Sequence, residues 1–232
     1  MEMMVSPADE ETASPYLRPY VLVTVATLAV IKGELVVSLR AANPGTAEPA
    51  GKSARWELLS CQPGVGMTLD ETARHAVGVW LPSGAAYVEQ LLTCEETVTG
   101  DPTPCLQVVY VALVRPPSDS PTYRAAVGEV KWWRLDDLPS LQATHSRLLD
   151  AARERLRDRL GHTDVAASLL DAEFSLSELQ QVYEAVQGRE LDKRNFRKWV
   201  LGGSLVEPTA HYRREGAHRP ARLYRFVRRE AA

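Results

Sequence analysis

The sequence predicts an α+β protein: a layered sandwich of strands and helices over residues 16–160, followed by a winged helix-turn-helix over 161–232. Three observations carry this. Apolar β-rich runs recur from Val21 to Leu135 and are closed by one long amphipathic helix. After Gly161 the pattern changes to two short capped helices and a basic hairpin. Charge is divided along the same line: residues 1–160 hold 15 Lys+Arg against 20 Asp+Glu, whereas Arg189 to Arg229 hold 12 against 4.

The first 15 residues are polar and read as a flexible arm. Val21 to Ile31 and Glu34 to Leu39 flank Lys32-Gly33, the signature of a hairpin. Ala41 to Ser53, with two Pro and two Gly, is a loop, and Trp56 to Leu59 a short strand. Leu69, Ala73, Val77 and Trp80 place a helix over 68–80. Ala86 to Thr93, Leu106 to Arg115 and Glu129 to Leu135 are strands. A helix over 145–160 follows, with Thr144 as its cap, Leu148, Leu149, Ala152, Leu156 and Leu160 as its buried stripe, and its many charges as a solvated face.

In the C-terminal part, Ser175-Leu-Ser-Glu178 is a capping box that opens a helix ended by Gly188. Asp192 caps a second helix, Lys193 to Leu201, stopped by Gly202-Gly203. Leu205 to Glu207 and Leu223 to Val227 are strands around a basic loop. On the second helix a turn of 100° per residue puts Phe196, Trp199 and Val200 on one face and Arg194, Arg197 and Lys198 on the other, with Lys193 and Asn195 at the flanks. Arg pairs bidentately with guanine, Asn with adenine, and Lys neutralises phosphate, so the exposed face suits a major groove. Arg213, Arg214, His218, Arg219 and Arg222 in the wing suit phosphates or the minor groove. A winged domain that binds protein is the competing reading.

The whole-chain figures exclude other classes. Net charge is −3 over 232 residues, the composition is that of a globular chain, and the longest apolar run has 11 residues, too few to span a bilayer. Cys61, Cys94 and Cys105 are an odd number without C-x-x-C spacing, which argues against a disulfide framework or zinc site and for a reducing, cytoplasmic setting.

The segments Phe174 to Val186, Gly188 to Trp199 and Arg219 to Phe226 resemble the winged-helix domain of the Nudix-related transcriptional regulators of NAD metabolism, the NrtR family. Val88-Glu-Gln-Leu-Leu-Thr93, Trp132-Trp-Arg-Leu-Asp-Asp-Leu-Pro139 and Leu141 to His145 resemble the Nudix half of that family, a Nudix-like α/β/α sandwich. A Nudix hydrolase holds its divalent metal with the carboxylates of Gly-x5-Glu-x7-Arg-Glu-x-x-Glu-Glu-x-Gly. In the register of the flanking matches those positions are Cys61, Met67, His75, Ala76, Val79, Trp80 and Pro82, and a shift of one restores none of the acids.

The resemblance therefore implies a repressor whose catalytically inactive Nudix-like domain binds an ADP-ribose-like effector and no metal cofactor. It also implies a homodimer that sets two winged helices on a palindromic double-stranded DNA operator. Arg40, placed to pair with phosphate, Trp56, placed to stack on a base, Gln90 and His145 are the candidate effector residues. Trp56 also suits the core and His145 a packing role. A weak diphosphate hydrolase is the alternative enzymatic reading.

Overall fold

The computed structural model describes residues 19–42, 56–81, 84–96, 103–115, 130–161, 163–214 and 220–227. The arm over 1–15, most of the 41–53 loop, Pro82, His218 and Arg219 lie outside them.

Strands β1 (Tyr20–Ile31) and β2 (Glu34–Ala41) form the hairpin read from Lys32-Gly33. Ile31 pairs with Glu34, and both turn residues have positive φ (51° and 77°), as a two-residue turn matched to strand twist requires. The central pairing is parallel, β1 against β6 (Cys105–Leu113), from Tyr20↔Cys105 to Leu28↔Leu113. With β3 (Trp56–Glu57) and β5 (Tyr87–Glu96) the sheet order is β3-β2-β1-β6-β5, while β4 (Leu59–Cys61) pairs with β1 and β7 (Val130–Arg134) with β2.

Alternation sends the two faces of this sheet into separate cores. Val23, Val25, Ala29, Val36 and Val108 pack on Ala73, Ala76 and Val77 of helix α1 (Leu69–Trp80). Leu28, Leu35, Val37, Leu39 and Val109 pack on Leu148, Leu149, Ala152 and Leu156 of helix α2 (Ala143–Arg159). The result is an α/β/α sandwich.

Two expectations for α2 change. The helix starts at Ala143 with Gln142 at its cap and no capping side chain, so Thr144 is inside its first turn. Its charged face is not simply solvated: Arg153 pairs with Asp136 (2.9 Å), Arg155 and Arg159 both reach Glu89 of β5 (2.7 and 2.8 Å), and the Arg157 Nε–H donates to the Val186 carbonyl (3.1 Å). Carboxylates and carbonyls brought in from distant sequence turn apparent surface charges into ties between elements.

After α2 come α3 (Thr163–Ser168), β8 (Phe174–Ser175), α4 (Leu176–Gln187), α5 (Lys193–Gly202), β9 (Val206–Arg213) and β10 (Ala221–Phe226), the last two longer than the sequence pattern predicts. The small sheet runs β8-β10-β9. The Ser175/Glu178 capping box is formed, and Gly188 closes α4 in the left-handed conformation at φ 69°. Leu176, Leu179, Val182, Tyr183 and Val186 of α4 belong to the same apolar cluster as α2 and β2, so the C-terminal elements are packed on the sandwich. The Tyr183 hydroxyl donates to the Leu160 carbonyl (3.0 Å) and Arg115 to the Leu170 carbonyl (2.9 Å) across that junction. No helix among the described residues is long and apolar enough to cross a membrane.

Candidate nucleic-acid interface and effector site

Helix α5 is positioned by its cap and its anchor. The Asp192 carboxylate accepts from the Asn195 N–H (2.8 Å), and Phe196 and Val200 are buried against α4. Phe196 meets Tyr183 edge-on with centroids 5.4 Å apart. The turn before it is held from α4: the Gln180 amide donates to the Leu191 carbonyl and the Leu191 N–H donates to the Glu184 carboxylate, both at 2.9 Å. A rigidly seated helix thus presents Lys193, Arg194, Arg197 and Lys198, all exposed. Asn195 is also exposed but faces a cavity at the helix flank. Trp199 is not part of the buried anchor as expected: it is 47% exposed, at the edge of the aromatic group.

The wing sorts its residues by strand alternation. Arg213 turns toward the cap of α4 and is part-buried, while His211 stays largely exposed. The Arg213 guanidinium donates to the Glu178 carboxylate (2.6 Å) and to the Glu173 carbonyl (3.1 Å), and His211 Nδ1 meets Glu173 at 2.8 Å. Tyr212 pairs across the strands with Arg222, and both are exposed, as is Arg214. Of the cations expected in the wing, Arg214 and Arg222 have outward positions, whereas Arg213 holds the wing to the cap of α4. Tyr212, 61% exposed, is a contact candidate that sequence reasoning missed. The alternation in His211-Tyr-Arg-Arg214 was the available signal.

The four candidate effector residues divide between the two faces of the sheet. Arg40 lies with Val36 and Ser38 on the α1 side, ion-paired with Glu57 across β2 and β3. Gln90 pairs with Tyr110 on the same side, two strands further along than β1, about 14 Å from β2 at ordinary strand spacing. Trp56 is on the α2 side, 0% exposed, with the Trp133 ring edge-on at 5.2 Å and the Lys131 ammonium 5.7 Å from its centroid. His145, buried at the start of α2, accepts the Leu58 N–H at Nδ1 (3.4 Å). Trp56 has no free face for stacking; it and His145 join the β3–β4 segment to α2.

At the box positions, Ala76 is buried and Val79 is exposed on α1. The two acids of this helix are occupied. Asp70 accepts the Tyr110 hydroxyl (2.7 Å), and burial, then the Asp70 carboxylate, push that phenol up to about 12, so it stays a donor. Glu71 closes the capping box with Thr68, and the Thr68 N–H and hydroxyl hold its carboxyl below the usual range. Cys61, at the first box position, has its thiol pushed up by burial, partly offset by Arg40. Among the described residues no group of three His, Cys, Asp or Glu is placed to hold a metal.

Comparison with known proteins agrees with this architecture. Residues 166–226 match the family described as the NrtR DNA-binding winged helix domain. A curated relative from Acinetobacter baylyi, named ADPR responsive transcriptional repressor NtrR, is 37% identical over 99 residues, covering 42% of this chain and 39% of its own length. The match thus spans about two fifths of that relative. The crystal structure of Shewanella oneidensis NrtR complexed with a 27mer DNA is similar over 89% of this chain and 93% of its own, at 26% identity and a TM-score of 0.71. A MutT/nudix family protein from Enterococcus faecalis shares the fold at 16% identity, TM-score 0.68, over 92% and 90% of the two chains.

Proposed function

We propose that this chain belongs to the NrtR family and is a DNA-binding transcriptional repressor whose Nudix-like domain senses ADP-ribose or a close relative instead of hydrolysing it, a reading supported by the winged-helix match over 166–226 and by the likeness to the Shewanella structure. The observation that carries the reading is the exposed basic row of α5, Lys193, Arg194, Arg197 and Lys198, on a helix anchored by Phe196 and Val200. The solved Shewanella relative was crystallised with DNA, and the Acinetobacter relative is named for its response to ADPR.

The sensing unit comprises 16–160 and the DNA-binding unit 161–232. Arg194, Arg197 and Lys198 enter the major groove, with Lys193 and Asn195 at its edges, while Arg214, Arg222 and Arg219 follow the phosphates. Arg213 supports them through Glu178. Arg40 and Gln90 contact the nucleotide. Trp56 and His145 carry the change to α2, on which α4 is packed. The chain acts as a homodimer on a palindrome, the usual way for such modules to read two half-sites.

Hydrolysis is not expected. Diphosphate cleavage needs carboxylates that hold a divalent ion against the phosphates, whereas α1 offers Ala76 and Val79 at two acidic positions and commits Asp70 and Glu71 to structural bonds. The test is product formation from ADP-ribose with Mg²⁺ or Mn²⁺, alongside binding of the same compound without metal. Saturable binding with no turnover is the expected pair of results; turnover above a protein-free control overturns the sensor reading.

A further inference from the structure

A cavity of about 500 Å³ opens beside α5, on the flank away from its basic row. Its lining includes the rings of Tyr183, Phe196 and Trp199 and the exposed Arg189, Glu190, Asp192 and Asn195. The volume is that of a small-molecule site, and an aromatic lining with a few polar groups is the usual composition of one. Neither the core nor a DNA groove accounts for Trp199. It is 47% exposed and lies about 140° around the helix from Arg194.

The cavity is built before anything enters it. Its three rings fix one another with centroids 5.3 to 5.7 Å apart. The Tyr183 hydroxyl is tied to the Leu160 carbonyl, and burial pushes this phenol up to about 12, so the tie persists at any working pH. The two Leu191 bonds from α4 hold the opposite wall.

The charged lining residues select the charge. Glu190 and Asp192 are not ion-paired with a cation among the described residues, and they outnumber the one guanidinium in the lining, Arg189, which is turned to the Gln187 amide oxygen at 3.1 Å. Aromatic faces and carboxylates both favour an organic cation.

We propose that this cavity is a second ligand site, separate from the Nudix-like domain, that takes a small aromatic amine with its ring on Trp199 and its ammonium toward Glu190 and Asp192. Because Asp192, Asn195 and Trp199 belong to α5 and its cap, an occupant bears directly on the helix that faces DNA. The proposal does not depend on ADP-ribose sensing.

The experiment is calorimetric titration of the full chain with three probes: tyramine, neutral 4-ethylphenol, and ethylamine, which lacks a ring. Tyramine is expected to bind saturably at millimolar concentration or below, and both single-feature probes to bind several-fold more weakly. Trp199→Ala should weaken tyramine by about 2- to 12-fold, the range of one aromatic pair, while Trp199→Phe keeps the ring and most of the affinity. Glu190→Gln combined with Asp192→Asn, which retains the cap, should weaken tyramine but leave 4-ethylphenol unchanged. ADP-ribose titrations of the same variants must stay at the parent value, which separates failure here from failure of the effector reading. Absence of saturable tyramine heat, equal affinity for 4-ethylphenol, or tyramine binding unaffected by Trp199→Ala overturns the proposal.

Discussion

Arg213 and Arg222 are both basic wing residues, close together in the β9–β10 hairpin, and the structure gives them opposite roles. Arg222→Ala removes an exposed side chain that makes no ion pair among the described residues, so its effect is on DNA alone. Removing one phosphate-neutralising cation reduces the slope of log K against log salt by about 1 per protomer, and lowers specific and non-specific affinity together. Arg213→Ala removes bonds of 2.6 and 3.1 Å to Glu178 and the Glu173 carbonyl and loosens the cap of α4. Since these groups are part-exposed, the cost is about 1 kcal/mol, or a fall of roughly 2–4 °C in Tm for a chain of this size. Fluorescence anisotropy of a labelled duplex over a salt series, with calorimetric melting of both variants, separates the two. A salt slope lowered by Arg213→Ala at unchanged Tm would refute the inward and outward assignment of the wing.

Phe196→Ala empties the anchor of α5 and should cost about 3–5 kcal/mol in chemical denaturation, with DNA affinity falling as the helix loses its seat. Gly188→Ala forces a left-handed residue and brings a Cβ within 3.3 Å of the Arg153 Nη2, so a loss of roughly 1 kcal/mol is expected in the same measurement. Burial alone would raise the Glu89 carboxyl, but the Tyr87 hydroxyl with Arg159 and Arg155 outweighs it and holds the group below its usual range. A carboxylate with a lowered folded value stabilises the native state above its unfolded value and loses that contribution as pH falls through the folded one. Glu89→Gln should therefore lower Tm at pH 7, by an amount corresponding to about 1 kcal/mol, and the gap to the parent should narrow as pH falls below the ordinary carboxylate range; a gap independent of pH would contradict it.

What could be read from the sequence followed local rules. The Lys32-Gly33 hairpin, the Ser175 capping box, the Asp192 cap and the Phe196/Val200 anchor each depend on residues within a few positions of one another, and each is present. What escaped depends on distant partners. The arginines of α2 looked solvated because Glu89, Asp136 and the Val186 carbonyl are remote in sequence. Arg213 looked like a DNA contact because nothing local announces Glu178 as its partner. The effector candidates were chosen by residue type, and only strand pairing shows Arg40 and Gln90 on one face of the sheet and Trp56 on the other. Helix α3 and strand β8 are too short, at 6 and 2 residues, to carry a periodic signal.

DNA binding and nucleotide sensing reside in one chain, and one titration reaches both: anisotropy of a labelled palindromic duplex selected from the DNA upstream of this coding region, at fixed salt, as ADP-ribose is added. The expected result is tight binding without the nucleotide, progressive release as it saturates the Nudix-like domain, and loss of that release in Arg40→Ala with DNA affinity intact. Binding to operator and scrambled duplex that is equal, or insensitive to saturating ADP-ribose, would contradict it.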